Sequence, residues 1–166
     1  LRRDAIAELA GLAPDAEPGQ RLPWQPRARG WLEAALAAVP EGRVVVIDYG
    51  ATTSDLLARG DGWLRTHTGH RSRCRWIDEP GHLDITADVD LEQLQLYHRA
   101  DVVVSQAEFL RSHGIDDLVA EGRRIWEERA SVGDLVALEA RSRVREAEAL
   151  CDLAGMGSFV VAEWRT

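Results

Sequence analysis

Asp48-Tyr49-Gly50 is the first cluster in the chain whose residue types and spacing could do chemistry. A carboxylate, a phenol and a glycine stand together directly after the apolar run Val44-Val45-Val46-Ile47. Four β-branched residues in succession suit a strand buried on both faces, as in a parallel sheet. A strand wet on one side would alternate with polar residues. In open α/β sheets ligands bind beyond the carboxyl ends of strands, which puts Asp48 and Tyr49 at a site. A loop capped by Asp48 and turned by Gly50 accounts for the same residues equally well.

A second candidate follows over residues 51–83, which hold Arg59, Arg65, Arg71, Arg73 and Arg75. Arginine forks suit carboxylates and phosphates. With Asp84, Thr86 and Asp88 just beyond, they could form a charged pocket mouth. The competing account is a solvated loop whose arginines pair with an acidic surface. His67, His70, Cys74 and His82 lie in the same stretch, but their spacing fits no standard zinc site and the arginines oppose a bound cation. No metal is expected. Arg59-Gly60-Asp61-Gly62 lacks the strand–turn–helix context of a phosphate cradle and reads as a turn. Ser105 lacks the flanking glycines of a nucleophile elbow, and Cys74 reads as a bystander thiol.

The elements that must position these residues alternate between helix and strand. Helices are predicted over residues 2–12 and 30–39, the second with Trp31, Leu32, Ala35, Leu36 and Val39 inward. Residues 13–29 are rich in proline and read as a loop onto which Trp24 folds back. Residues 44–48 form the first strand. Residues 51–83 read as one long loop, a lid or binding segment. Asp90 is placed to cap a helix over about 90–99, followed by a second strand at 102–105 and a short helix from Gln106 to Gly114. Two longer helices follow. One, over about 116–130, has Leu118, Val119, Ile125 and Trp126 inward; the other, over about 133–150, has Leu135, Val136, Leu138, Val144 and Leu150 inward. A third strand over 159–164 closes the chain. The expected division is 1–43, with the first helix, proline-rich linker and crossover helix, and 44–166, an α/β body.

The 166 residues allow one ordinary domain, and a formal net charge of −8 argues against a nucleic-acid or membrane-surface binder. All the lysine-plus-arginine content is arginine, a compositional bias rather than chemistry. Two distant cysteines fit a reduced, cytoplasmic setting, and no apolar run is long enough to cross a bilayer.

Several short motifs, taken in order, resemble one family. They are Asp48-Tyr49-Gly50, Arg59-Gly60, Leu64-Arg65 and His70, then Pro80-Gly81, Asp84-Ile85-Thr86 and Val89-Asp90, then Gln106, Phe109-Leu110, Gly114-Ile115 and Met156-Gly157-Ser158-Phe159. Their order and spacing over 44–160 are similar to those of the MidA-like S-adenosylmethionine-dependent methyltransferases, which include the mitochondrial complex I assembly methyltransferase. The resemblance implies a Rossmann-like α/β sheet of which strands 44–48, 102–105 and 159–164 are the last three, the final one antiparallel and lying between the other two.

It also implies methyl transfer to a protein nitrogen, with arginine the acceptor in the mitochondrial member. On that basis Asp48 and Asp84 would act as the catalytic carboxylates, and Tyr49, Gly50, Arg65 and His70 would bind the substrate. The glycine-rich loop and the other motifs that hold S-adenosylmethionine in such enzymes have no counterpart here; no GxGxG occurs in the sequence. The expectation is therefore the C-terminal half of such an enzyme, inactive by itself and weak in cofactor binding. Its partner would be a protein substrate, with a possible homodimer through the strand edge at 44–48. The alternative is a non-catalytic interaction or assembly module on a methyltransferase scaffold.

Overall fold

The computed structural model describes residues 3–68, 71–73 and 81–166. Two compact units are present: one of Leu1–Val44, Asp48–Asp101 and Trp164–Thr166, the other of Val45–Ile47 and Val102–Glu163.

The first unit opens with helix α1 (Arg3–Leu12) and helix α2 (Pro26–Ala38). Helix α2 starts four residues earlier than its hydrophobic pattern predicts, because Pro26 pre-sets the first helical φ and lacks only an N–H that would be orphaned anyway. Leu32 is its buried residue, while Trp31, expected inward, is exposed.

Residues 51–83 are not one long loop. Gly50–Ala51 forms the two-residue strand β2, and helix α3 (Thr53–Ala58) follows, capped by Thr52 accepting from Asp55 N. A 3₁₀ turn at Gly60–Trp63 leads into strand β3 (Leu64–Thr68) and strand β4 (Arg71–Arg73). Strand β3 pairs antiparallel with β4 and with strand β5 (Asp84–Ala87), in the order β4-β3-β5. Lid-like polarity concealed this small sheet: Arg65, His67, Asp84 and Thr86 lie on strands whose outward face is wet.

Strand β6 (Val89–Asp90) pairs parallel with β2 and runs into helix α4 (Leu91–Gln95), shorter than its predicted span. Asp90 caps that helix as expected, accepting from Glu92 N and Gln93 N. The core of this unit is built on Ala51, Leu56 and Trp63, with Leu22 and Leu64 packed against them. Trp63 donates its indole N–H to the Arg21 carbonyl at 3.2 Å, so that burying the large ring leaves no polar atom unpaired.

The second unit carries strand β7 (Val102–Ser105), helix α5 (Gln106–Ser112), helix α6 (Ile115–Arg129), helix α7 (Leu135–Cys151) and strand β8 (Val160–Arg165) as far as Glu163. With strand β1 (Arg43–Asp48) they give a sheet of order β1-β8-β7, in which the final strand is central and antiparallel to β7. Strand β1 is not buried on both faces. Its exposure alternates along the strand, with Val45 at 40% and Ile47 at 45%.

Helices α6 and α7 form a hairpin whose inward residues are small. Gly122, Ala137, Ala140 and Ala147 are buried, and a Cβ on Gly122 would meet the Ala140 carbonyl oxygen at 3.0 Å. Leu118, Leu135, Val136 and Leu138, expected inward, are exposed, Leu135 to 77%. Gly122 and the alanines let the backbones approach closely, with Val144 Cγ2 also 3.0 Å from a Cβ on Gly122, while Val119, Ile125, Trp126, Val144 and Leu150, expected inward, are half-buried.

Candidate functional site

Of the sequence-predicted residues, Asp48, Tyr49, Gly50 and Arg65 gather in the first unit around the carboxyl end of β1. Asp48 is exposed there, and its Oδ1 accepts from Tyr49 N at 2.7 Å. Oδ2 has no protein partner among the described residues. Tyr49 presents a ring that is about half exposed, and the Arg65 guanidinium lies over it, 4.9 Å from the centroid. Such cation–π stacking holds a planar cation flat against a phenol face. Gly50 begins β2 opposite Val89, and a Cβ at Gly50 would stand 3.3 Å from both the Val89 carbonyl oxygen and Leu91 Cγ. A side chain there would press on the Val89 carbonyl of β6 and on Leu91 of α4, which would have to yield by a few tenths of an ångström.

Asp84 starts β5 opposite His67 and is exposed. Arg65 pairs with Thr86 and His67 with Asp84 in the same ladder. Directly opposed residues, and those two apart on a strand, share a face. Asp84 thus lies on the face that carries Arg65, displaced along the strand by two residues, roughly 7 Å. The structure brings Asp48, Tyr49 and Arg65 together and sets Asp84 aside on the shared face. His70 and Cys74 lie outside the described residues.

The structure adds groups that the sequence pattern ranked lower. Asp88 is buried rather than at a pocket mouth, its side chain 3% exposed. Its Oδ2 accepts from Arg59 Nη1 at 2.9 Å, and Arg65 Nη1 lies 2.6 Å from Oδ1, a charge contact without hydrogen-bond alignment. Beneath this pair runs a buried polar network. Gln25 donates its side-chain amide to the Asp88 carbonyl and accepts from Asp90 N. The fully buried Asp90 accepts from the Thr53 hydroxyl and from Gln93 Nε2, and Gln93 Nε2 also donates to the Pro23 carbonyl. Every member has partners, as a buried polar network must if it is to specify one arrangement. The network fixes β6 and, through Asp88, the two arginines. The available signal was the recurrence of acids on one face of the alternating segment, at Asp84, Asp88 and Asp90 with Thr86 between them.

Among the described residues no group of three or more His, Cys, Asp or Glu could hold a metal ion, and no helix is long and apolar enough to cross a membrane.

These features define a mixed α/β protein with charged and aromatic side chains at the carboxyl end of a strand. Residues 3–108 match the model of a family described as "Putative S-adenosyl-L-methionine-dependent methyltransferase". The chain belongs to that family. Two crystal structures from Burkholderia thailandensis are similar to it. One is an "uncharacterized" conserved protein, 29% identical with a TM-score of 0.75, matched over 99% of this chain and 43% of its own. The other belongs to the same superfamily and is described as a "likely methyl transferase" bound to S-adenosyl-homocysteine; it is 28% identical with a TM-score of 0.71, matched over 99% of this chain and 42% of its own. The chain thus spans about two fifths of the length of these relatives. No curated protein matches it.

Proposed function

We propose that this chain is the C-terminal, acceptor-side part of a MidA-like S-adenosylmethionine-dependent methyltransferase that acts on a protein nitrogen, with arginine the favoured acceptor. The observation that carries this reading is the Asp48–Tyr49–Arg65 arrangement at the end of β1, in a chain of this family. The free Oδ2 of Asp48 suits a guanidinium or ammonium acceptor, which it would orient and whose charge it would balance. Tyr49 offers a flat face for the same group, and Asp84 lies farther along the face that carries Arg65. Strands β1, β7 and β8 are read as the last three of a larger Rossmann-like sheet, and the order β1-β8-β7 supports this.

S-adenosylmethionine is the family's cofactor, and when bound it supplies an electrophilic methyl group. The residues around Gly50 do not fit it. The close approach there is filled by the Val89 carbonyl and Leu91, and the sequence has no glycine-rich phosphate- or nucleoside-type loop. The cofactor cradle is assigned to residues beyond this chain, in keeping with its coverage of the longer relatives. Calorimetric titration of S-adenosylmethionine into the 166 residues is expected to give no saturable heat at micromolar concentration. Incubation of the full-length gene product with methyl-labelled cofactor and cell extract should label protein, with methylarginine recovered on hydrolysis. Tight cofactor binding by the chain alone, or label confined to small molecules, would overturn the reading.

A further inference from the structure

We infer that Arg59 and Arg65, held side by side on the buried Asp88, form a clamp for a carboxylate that the acceptor protein carries next to the residue being methylated. The inference rests on the acceptor-side reading of this edge and names a feature of the acceptor. Each arginine spends one Nη on Asp88: Arg59 through a hydrogen bond of 2.9 Å to Oδ2, Arg65 through its 2.6 Å contact with Oδ1. Their remaining N–H groups have no partner among the described residues, and their side chains are 48% and 34% exposed while Asp88 is 3% exposed.

Two guanidiniums against one carboxylate leave one positive charge over. That excess suits a monoanion better than a dianion. The clamp is pre-organised. Arg65 is stacked on Tyr49, Arg59 leaves the C-terminal end of α3, and Asp88 is fixed by its backbone N–H to the Trp63 carbonyl and its carbonyl to Gln25. A planar fork presented on a rigid base recognises a carboxylate bidentately, which a lysine cannot do.

The test uses the whole 166-residue chain and does not depend on methyl transfer. N-acetyl-glutamate amide, its neutral glutamine counterpart and inorganic phosphate are titrated while the arginine Nε–Hε resonances are followed by NMR. The expected result is a saturable shift of the Arg59 and Arg65 signals with the glutamate compound, at least tenfold tighter than with the glutamine compound and tighter than with phosphate. Arg65→Lys should abolish it while circular dichroism and melting remain those of the parent; Arg59→Lys is the second variant should the first fail to fold. No shift, a shift that survives both lysine variants, or a preference for phosphate would overturn the assignment. A positive titration alongside a failed transfer assay would separate this clamp from the methyltransferase reading.

Discussion

Asp88 shows how one buried side chain decides what two exposed ones do. A carboxylate taken out of water is tolerable only when it is paired, so removing its partners costs far more than removing one of them. Arg59→Ala or Arg65→Ala singly is expected to cost about 1 kcal/mol. The double variant should cost about 3–5 kcal/mol, more than the sum, because it strands the charge. Urea denaturation of the four proteins of the cycle measures this, and simple additivity would show that solvent already reaches Asp88. Little of this was legible beforehand. Asp48, Tyr49 and Arg65 could be singled out by type and position, and the structure gathers them. Asp88 read as one acid of a charged mouth, because nothing in a sequence separates an acid facing water from one folded under two arginines far upstream in the chain, Arg59 being 29 residues away.

At the scale of elements, the boundaries of α5, α6 and α7 were readable to within about two residues because caps are local, whereas α2 starts four residues before its predicted start and α4 ends four residues before its predicted end. Ser105 and Glu108 form a capping box at the start of α5, and Asp134 caps α7 while pairing with Arg129. Hydrogen bonds from the Ser105 backbone and hydroxyl hold the Glu108 carboxyl below its ordinary range, and the Arg129 guanidinium followed by the Ala137 N–H does the same for Asp134. A depressed folded-state value means that the stabilisation is full above the ordinary carboxylate range and is lost as pH falls through the depressed values. The melting temperature should therefore be level near neutrality and fall on acidification below that range. Asp134→Asn should flatten the decline, and an unchanged acid profile in that variant would count against the assignment.

Inward faces were less legible than ends. Leu135, Val136 and Leu138 follow the helical period yet are exposed, since the α6–α7 seam is set by Gly122 and alanines. The strictest local constraint is Gly157, where a Cβ would stand 2.5 Å from the Cys151 carbonyl carbon. Gly157→Ala is expected to destabilise by about 1–3 kcal/mol in denaturant titration. A neutral effect would mean that the turn after α7 can shift.

For the molecule as a whole, the apolar run of β1 carried the most information and was also partly misread. It is a strand as expected, but Val45 and Ile47 are exposed, and β1 is an edge of the sheet formed by the described residues. An apolar edge of this kind recruits another strand. In the full-length protein that strand would come from the remainder of the chain. In the 166-residue protein, a second copy is expected to take its place. Light scattering should then give a dimer at tens of micromolar, and Val45→Lys should return the monomer. A monomer in the parent would remove the need for a partner.

The central claim, that this edge faces the acceptor and not the cofactor, is tested most directly by Asp48→Asn in the full-length enzyme, with turnover and S-adenosyl-homocysteine affinity measured on the same preparation. Turnover is expected to fall at least a hundredfold, with affinity for S-adenosyl-homocysteine unchanged within threefold. Unchanged turnover, or an affinity that falls with it, would contradict the account.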